Sequence, residues 1–487
     1  MTESSSIFAQ AGRAAQVQVA VVDSNKISPS QDATRLVCPQ NSLAGRTAGN
    51  IIRRRMSTPP SFPPSAPLSG PPSGPLSAAA SRDALALLRG RGFIQQLSDE
   101  PGLLARFNTE SVCFYAGFDP TAASLHVGSL VPLIAMAHLA QAGHRPIAVL
   151  GGGTAMVGDP SGKTEMRQLV TQDTIQGNRR QIEPQIRRII GAEARIVDNA
   201  EWLLPLNYIS FIRDIGRHFS VNRMLSAEAY RLRLEKGLSF IEFNYQLLQA
   251  YDFLVLSERY GCALQIGGDD QWGNIVAGID LIRRVRQTES FGLTFPLLTT
   301  ASGAKMGKTA AGAVWLDATL TTPYDFFQYF VNVDDRDVVR FLKLLTFLPL
   351  TEIARYEQLQ GAELREAKRA LARGVTAVVH GEAAAAAADH AASAAFGGAG
   401  AQDSAVPTFE VVDPAREIKI VDLLAASGLA ASKSAARRLV EQGGVRLGDR
   451  KVTSIDEMVR AHDVGDGMLL HAGKKNLRRI TFTPAAS

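Results

Sequence analysis

Three consecutive segments constrain the fold of this sequence more than anything else in it. They are the run Val112–Phe118, the stretch Val127–Ala142 and the run Pro146–Leu150. The two short runs are apolar over strand-like lengths. The stretch between them repeats apolar side chains at Leu130, Ile134 and Ala137 and is followed by Gly143, a residue suited to closing a helix. Strand, helix and strand joined by short loops predict a βαβ unit on a parallel sheet. The second strand runs into Gly151-Gly152-Gly153. Ligands of such sheets bind beyond the carboxyl ends of the strands, where glycine-rich loops let phosphates approach the backbone. This α/β region is expected to cover residues 84–320.

The remainder divides by composition. Residues 1–83 are rich in Ser, Pro, Ala and Gly, as in Thr58-Pro59-Pro60-Ser61-Phe62-Pro63-Pro64, and bury too little apolar surface to offset the entropy of ordering. They are expected to be a disordered extension. Arg53-Arg54-Arg55 and few acids point to an organellar transit peptide; Glu3 and a single Arg in the first twenty residues point instead to an upstream extension of the reading frame, with Met56 or a later codon as the start. Residues 321–381 read as a helical domain and 382–410 as an Ala/Gly-rich linker whose first Ala run also suits a helix. Residues 411–487 read as a small α+β module. Helices are expected at Ile420–Leu424 and Ser432–Gln442, and Gly443-Gly444 turns into a strand at Val445-Arg446-Leu447.

Several function classes fall away. No run reaches the ~18–20 apolar residues of a membrane span. Cys38, Cys113 and Cys262 are isolated and odd in number, so neither a disulfide framework nor a structural zinc site is expected, and a reducing compartment fits. The net charge is +5, and its basic excess sits at the ends: residues 1–83 carry eight Lys/Arg against four Asp/Glu, and residues 411–487 thirteen against nine.

Five clusters carry chemistry. Asp119-Pro120-Thr121 and His126-Val127-Gly128-Ser129 follow the first strand and open the helix, whose free N–H groups favour an anion. Gly128 lacks a Cβ and so lets a flat ligand lie against the backbone. Gly158-Asp159-Pro160-Ser161-Gly162-Lys163 is one residue too short between its glycines for a P-loop, but Lys163 and Arg167 share a helical face and suit a polyphosphate. Lys305-Met306-Gly307-Lys308-Thr309 places two cations on a glycine-containing loop. Tyr245, Gln249 and Asp252 fall on one face of a helix that is otherwise apolar. Gln265 to Trp272 reads as a strand end presenting Gln265, Asp270 and Gln271. Taken singly, each is also an ordinary cap, turn or solvated face.

In this order, however, the segments resemble bacterial-type tyrosyl-tRNA synthetases, members of class I with the HIGH and KMSKS signatures. The resemblance runs from about 84 to 484, and its last 75 or so residues resemble the S4-type RNA-binding module of these enzymes. It implies a Rossmann-like catalytic domain, a helical domain and an α+β S4-type domain. It also implies tyrosine activation by ATP, with Mg2+ accompanying the nucleotide, followed by transfer of tyrosine to the 3′ end of tRNA(Tyr).

Residue roles follow from the resemblance. Tyr115 and Asp252 hydrogen-bond the phenol hydroxyl; Asp159, Tyr245 and Gln249 hold the ammonium group; Gly117, Asp119, Gly128 and Gly267 line the adenylate pocket, with Asp270 on the ribose and Gln271 nearby. Thr121, His126, Ser129, Lys163, Arg167, Lys305, Lys308 and Thr309 surround the phosphates. A site that hydrogen-bonds a hydroxyl rejects the analogue lacking it by about 10⁴–10⁵, a magnitude already established for this very family. Arg437, Arg438, Arg446, Lys474 and Lys475 supply cations for tRNA phosphates. The resemblance further implies a homodimer, with Leu238–Phe243 near the subunit contact, no membrane association, and a bacterial cytoplasmic location, or an organelle matrix if residues 1–83 are a transit peptide.

Three positions depart from the pattern. Ser129 stands where the HIGH signature has its second histidine, Gly307 where the general lysine-loop pattern has serine, and Ala116 where the family can carry a polar residue touching the ribose. Two other functions share this fold: a tryptophan enzyme, which has no use for Tyr115 with Asp252, and a catalytically silent RNA-binding protein, which has no use for the lysine loop.

Overall fold

The computed structural model describes residues 78–161, 170–235, 237–309, 312–397, 406–412, 417–473 and 476–483. The expectations for residues 1–77 lie outside them. The first described element is a helix, Ala78–Arg91, so the folded body begins a few residues before the expected boundary at 84.

Six strands form one sheet: β1 (Gln96–Leu97), β2 (Cys113–Phe118), β3 (Arg145–Leu150), β4 (Arg195–Asp198), β5 (Cys262–Gly268) and β6 (Phe291–Phe295). Their spatial order is β1-β6-β5-β2-β3-β4. All neighbours are parallel except β1, which pairs antiparallel with β6 at the edge. β2 and β6 are almost wholly buried, as parallel strands covered on both faces must be. The chain winds outward from β2 through β3 to β4 on one side and from β5 to β6 on the other. The order therefore reverses between β2 and β5, and the crevice of such a sheet opens there, at the carboxyl ends.

The stretch between β2 and β3 divides in two. His126 caps a 3-10 turn at Val127–Ser129, and the α-helix proper is Leu130–Gln141. Pro132 falls in its first turn, where a missing N–H costs nothing. Leu130, Leu133, Ile134, Ala135, Met136 and Leu139 are all fully buried, so this helix is apolar on every side because it lies between the sheet and other helices.

The helical domain contains Pro323–Val331, Val338–Leu345, Leu350–Tyr356 and Leu364–His380. The last buries Leu364, Ala367, Leu371, Ala372, Val375 and Val379 along one stripe. The expected linker at 382–410 is corrected in its first half: Glu382–Gly397 is a helix packed on Pro323–Val331 and Leu364–His380. Ala385, Ala388, Ala391 and Ala392 are buried. Alanine has the highest helix propensity and its small side chain lets helices approach closely, so an Ala-rich run that looks featureless becomes a packed element.

The C-terminal domain starts at Thr408, not 411, because Thr408–Val411 pairs in parallel with Asn476–Phe482. Its two expected helices are Ile420–Ala426 and Lys433–Glu441, the second capped by Ser432, and Val445–Leu447 is a strand. Ile420, Leu423, Ala436, Val445, Val459, Leu470 and Ile480 form its own core. Leu477 and Val406 instead join the core shared with the helical domain.

Candidate active site

The helix Tyr245–Tyr260 packs against β5 and carries the Tyr245, Gln249 and Asp252 stripe. Tyr245 and Asp252 are 5% and 4% exposed and Gln249 is half-buried, so the stripe faces the protein interior. Asp252 accepts hydrogen bonds from Asn199 Nδ2 at 2.9 Å and from Trp202 Nε1 at 2.7 Å. Burial raises its pKa to about 7, with the Asp119 and Asp198 carboxylates adding to the rise and the two donors opposing it. Tyr115, on β2, packs on Phe253 with ring centroids 5.3 Å apart. Its hydroxyl is buried and has no hydrogen-bond partner among the described residues. Burial and the field of Asp252 push its pKa well above that of an ordinary phenol. A buried hydroxyl left in this state costs about 1–3 kcal/mol until something pairs with it.

Toward the mouth of the crevice, Asp159 accepts from Gln271 Nε2 at 2.7 Å and from the Ser161 N–H at 2.8 Å. Asn274 Nδ2 donates to Gln249 Oε1 at 3.0 Å. The Tyr245 hydroxyl donates to Asp119 Oδ2 at 3.1 Å, and the Thr154 hydroxyl to Asp119 Oδ1 at 2.8 Å. Asn199 Nδ2 also donates to Thr154 Oγ1 at 2.9 Å, and Asn199 Oδ1 accepts from the Gly153 N–H at 2.8 Å. One chain of side-chain hydrogen bonds thus runs from Tyr245 through Asp119, Thr154 and Asn199 to Asp252.

Thr154, Asn199, Trp202 and Asn274 are members of this hydrogen-bond network that sequence reasoning misses. The only signal for two of them is position, since Thr154 follows the glycines after β3 and Asn199 follows the last residue of β4. The glycine loop itself is put to a different use from the one expected. A Cβ on Gly151 would overlap the Asp119 carboxylate, and one on Gly152 the Asp198 carboxylate. These glycines make room for the protein's own acids rather than for a phosphate.

The cationic side of the site is held by backbone. The Val127 N–H donates to the Val314 carbonyl at 3.0 Å, and the Val314 N–H to the Gly307 carbonyl at 2.8 Å, which seats the lysine loop against the His126 motif. Gly307 has φ +85°, and a Cβ there would come 3.3 Å from Val127 Cβ. Glycine in place of serine is therefore a conformational requirement of this loop. Exposed His126 accepts at Nδ1 from the Gly128 N–H at 2.9 Å, which places the proton of a neutral ring on Nε2. A Cβ on Gly128 would lie 2.7 Å from the imidazole, so this glycine makes room for the His126 ring and not, as its place suggested, for a ligand. At Gly117, by contrast, a Cβ meets nothing within 4 Å. Ser129 makes no side-chain capping bond, and exposed Thr121 follows Asp119 in a tight turn.

Asp270, just past β5 and Gly267, has its pKa raised by burial and by Asp159, while Lys305 across the crevice pulls it down. Lys305 is exposed and bridges Thr299. Lys308–Thr309 is a short strand paired with Gly312–Ala313. Lys163, Arg167, Lys474 and Lys475 lie outside the described residues. Arg437, Arg438 and Arg446 are exposed on the C-terminal domain, Arg446 within 3.6 Å of Asp449.

Comparison with known proteins gives the class first. Residues 108–397 match the family "tRNA synthetases class I (W and Y)", more than half of the chain, and residues 400–480 match the "Tyrosine--tRNA ligase SYY-like C-terminal domain". Tyrosine–tRNA ligases of Clostridium botulinum (strain 657 / Type Ba4) and Desulfosudis oleivorans are each 50% identical, over 398 and 428 residues, covering 81% and 82% of this chain and 98% and 99% of the relatives. Among solved structures, a C-terminally truncated mitochondrial tyrosyl-tRNA synthetase from Aspergillus nidulans aligns with a TM-score of 0.57 at 30% identity, covering 64% of this chain and 96% of its own. Its counterpart from Coccidioides posadasii aligns at 0.55 and 31%, covering 63% and 90%. The chain belongs to the class I tyrosyl-tRNA synthetases, and its activity is the ATP-dependent ligation of tyrosine to tRNA.

Proposed function

We propose that Tyr115 and Asp252 read the phenol hydroxyl of tyrosine, and that this contact selects tyrosine over phenylalanine. The observation that carries the reading is the buried, unpartnered Tyr115 hydroxyl in the field of a carboxylate already held by Asn199 and Trp202. A phenol O–H donates to the carboxylate and accepts from Tyr115, satisfying both. Asp159, Tyr245 and Gln249 take the ammonium group: Tyr245 spends its proton on Asp119, so its oxygen is left to accept. Gly117, Asp119, Gly267, Asp270 and Gln271 line the adenylate, with the open space at Gly117 accepting its flat edge.

In the first step a carboxylate oxygen of tyrosine attacks the α-phosphorus of ATP, forming the P–O bond of tyrosyl-adenylate as the bond to pyrophosphate breaks. In the second, a hydroxyl of the terminal tRNA ribose attacks the tyrosyl carbonyl and AMP leaves. Neither step needs a protein nucleophile. The chain contributes positioning and charge stabilisation, for which Thr121, His126, Ser129, Lys163, Arg167, Lys305, Lys308 and Thr309 are the assigned groups. The described residues contain no cluster of acids, histidines or cysteines that fits a resident metal. We assign no magnesium ligand to the chain, and Mg2+ would ride on ATP phosphate oxygens and waters.

The C-terminal arginines Arg437, Arg438 and Arg446 are assigned to tRNA phosphates, which predicts a salt-dependent KM for tRNA. A homodimer is supported by the exposed apolar side chains of the chain segment that links β4 to β5, including Val221, Leu234, Phe240 (69% exposed) and Ile241. Sedimentation of Phe240→Glu tests it: a variant that sediments like the parent removes this face from the interface. A bacterial cytoplasmic location is supported by the isolated cysteines and bacterial relatives; N-terminal sequencing of the native protein separates it from an organelle matrix. The decisive experiment is ATP–pyrophosphate exchange with each of the twenty amino acids. Exchange with tyrosine alone is expected, and equal exchange with phenylalanine would end the phenol reading.

A further inference from the structure

We propose that the helix Pro323–Val331 is a strut coupling the C-terminal RNA-binding domain to the lysine loop, with Tyr329 as the positioning residue at its loop end. The coupling rests on the proposed role of that loop at the ATP phosphates.

At the first turn of this helix, the Asp325 carboxylate accepts two hydrogen bonds from Arg478, Nη1 to Oδ1 at 2.8 Å and Nη2 to Oδ2 at 2.7 Å. Arg478 belongs to the strand Asn476–Phe482 of the C-terminal sheet and is only 16% exposed in its side chain. A bidentate, partly shielded pair of this kind fixes orientation as well as distance. Beside it, Leu477 is buried in the same core as Phe326, Phe327 and Phe330. The C-terminal domain is thus tied to the strut by an ion pair, and Leu477 shares the core in which the strut is buried.

The middle of the helix does not yield. Tyr324, Phe326, Phe327 and Phe330 are at most 2% exposed, and the Thr322 side chain caps the first turn. Close-packed interiors transmit displacement rather than absorb it.

At the far end, the Tyr329 oxygen accepts from the Gly307 N–H at 2.9 Å. Gly307 is the residue whose carbonyl holds Val314, and Val314 in turn holds Val127 beside His126. Tyr329 therefore fixes the middle of the Lys305–Thr309 segment at its one glycine. The base of the loop is anchored separately, by the Ala301 N–H to Asp337 at 2.8 Å and by Arg340 to the Thr299 carbonyl.

The test uses full-length enzyme and steady-state ATP–pyrophosphate exchange. Tyr329→Phe removes the acceptor and keeps the ring that packs on Phe330. It is expected to lower kcat about three- to tenfold, the size of one neutral hydrogen bond, with KM for tyrosine and the thermal midpoint unchanged. Arg478→Met cuts the strut at its other end and is expected to lower the same kcat about twofold. Lys419→Met, exposed on the same domain, leaves it unchanged. If Lys305→Ala has no effect on exchange, the phosphate reading of the loop is wrong. If Lys305→Ala is impaired but Tyr329→Phe is not, the strut is wrong. A Tyr329→Phe variant that melts early and loses tyrosine affinity equally would reduce Tyr329 to packing, and a silent Arg478→Met would remove the coupling to the RNA-binding domain.

Discussion

The two ends of the active site are built in opposite ways. At the end proposed to take tyrosine the side chains are buried and tied to one another: Asp252 to Asn199 and Trp202, Asn199 to Thr154, Thr154 to Asp119, Asp119 to Tyr245. At the end proposed for the phosphates His126 and Lys305 are exposed, and what holds the loops is a backbone ladder through Val127, Val314 and Gly307. The difference suits the tasks proposed for the two ends. Rejecting an amino acid that lacks one hydroxyl requires acceptors and donors desolvated in advance, so that an empty partner is costly. Stabilising charge that grows only in the transition state requires cations that stay hydrated until the substrate arrives and then close on it.

The sharpest way to break this contrast is at Asp252. Asp252→Ala is expected to lower kcat/KM for tyrosine by about 10²–10³ and that for phenylalanine far less, compressing selectivity. Competition between the two amino acids in pyrophosphate exchange measures it, and unchanged selectivity would place the phenol elsewhere.

A roughly tenfold effect is expected from pH. With the Asp252 pKa raised to about 7 by burial, kcat/KM for tyrosine should rise about tenfold from pH 6 to a plateau reached near pH ~8, as the carboxylate becomes available to accept. The same shift has a stability sign. The folded chain holds this proton more tightly than the unfolded chain, so its contribution to stability is full below about pH 4 and is lost as pH rises through 7. Asp252→Asn should flatten both profiles in rate and urea-unfolding measurements, and a persistent slope would assign them to another group.

At the phosphate end a smaller, differently partitioned effect is expected. Gly307→Ala strains a positive φ and crowds Val127, and should lower adenylate formation about fivefold with tyrosine affinity intact. Loss of tyrosine affinity in equilibrium dialysis would show that the two ends are not independent.

The residues proposed for the site could be picked out of the sequence because they stand in short, ordered groups. Tyr115, Gly117 and Asp119 leave one strand, Gly267, Asp270 and Gln271 leave another, and Tyr245, Gln249 and Asp252 share a helix face, so local periodicity already aligns each group. The side chains that join those groups were not legible. Asn199 lies 53 positions from Asp252 and 45 from Thr154, and nothing in its neighbourhood marks it as a bridge. Gly128 and the glycines after β3 were read as openings for a ligand, whereas His126, Asp119 and Asp198 occupy that space; what fills the room beside a glycine is a tertiary fact.

Spacing within a few residues and motif order along the chain were enough for the βαβ start, the sheet class, the succession of chemical motifs and the family. Other features came into being only when distant surfaces met. Among them are the inward-facing polar stripe of Tyr245–Tyr260, the packing of an Ala-rich run as a helix, the need for glycine at 307, and the reach of Arg478 to Asp325 across 153 positions. Each depends on which faces are brought together once the sheet closes its core. Burial then sets the energetic consequence of every polar group caught between them, and no local pattern encodes which groups those are.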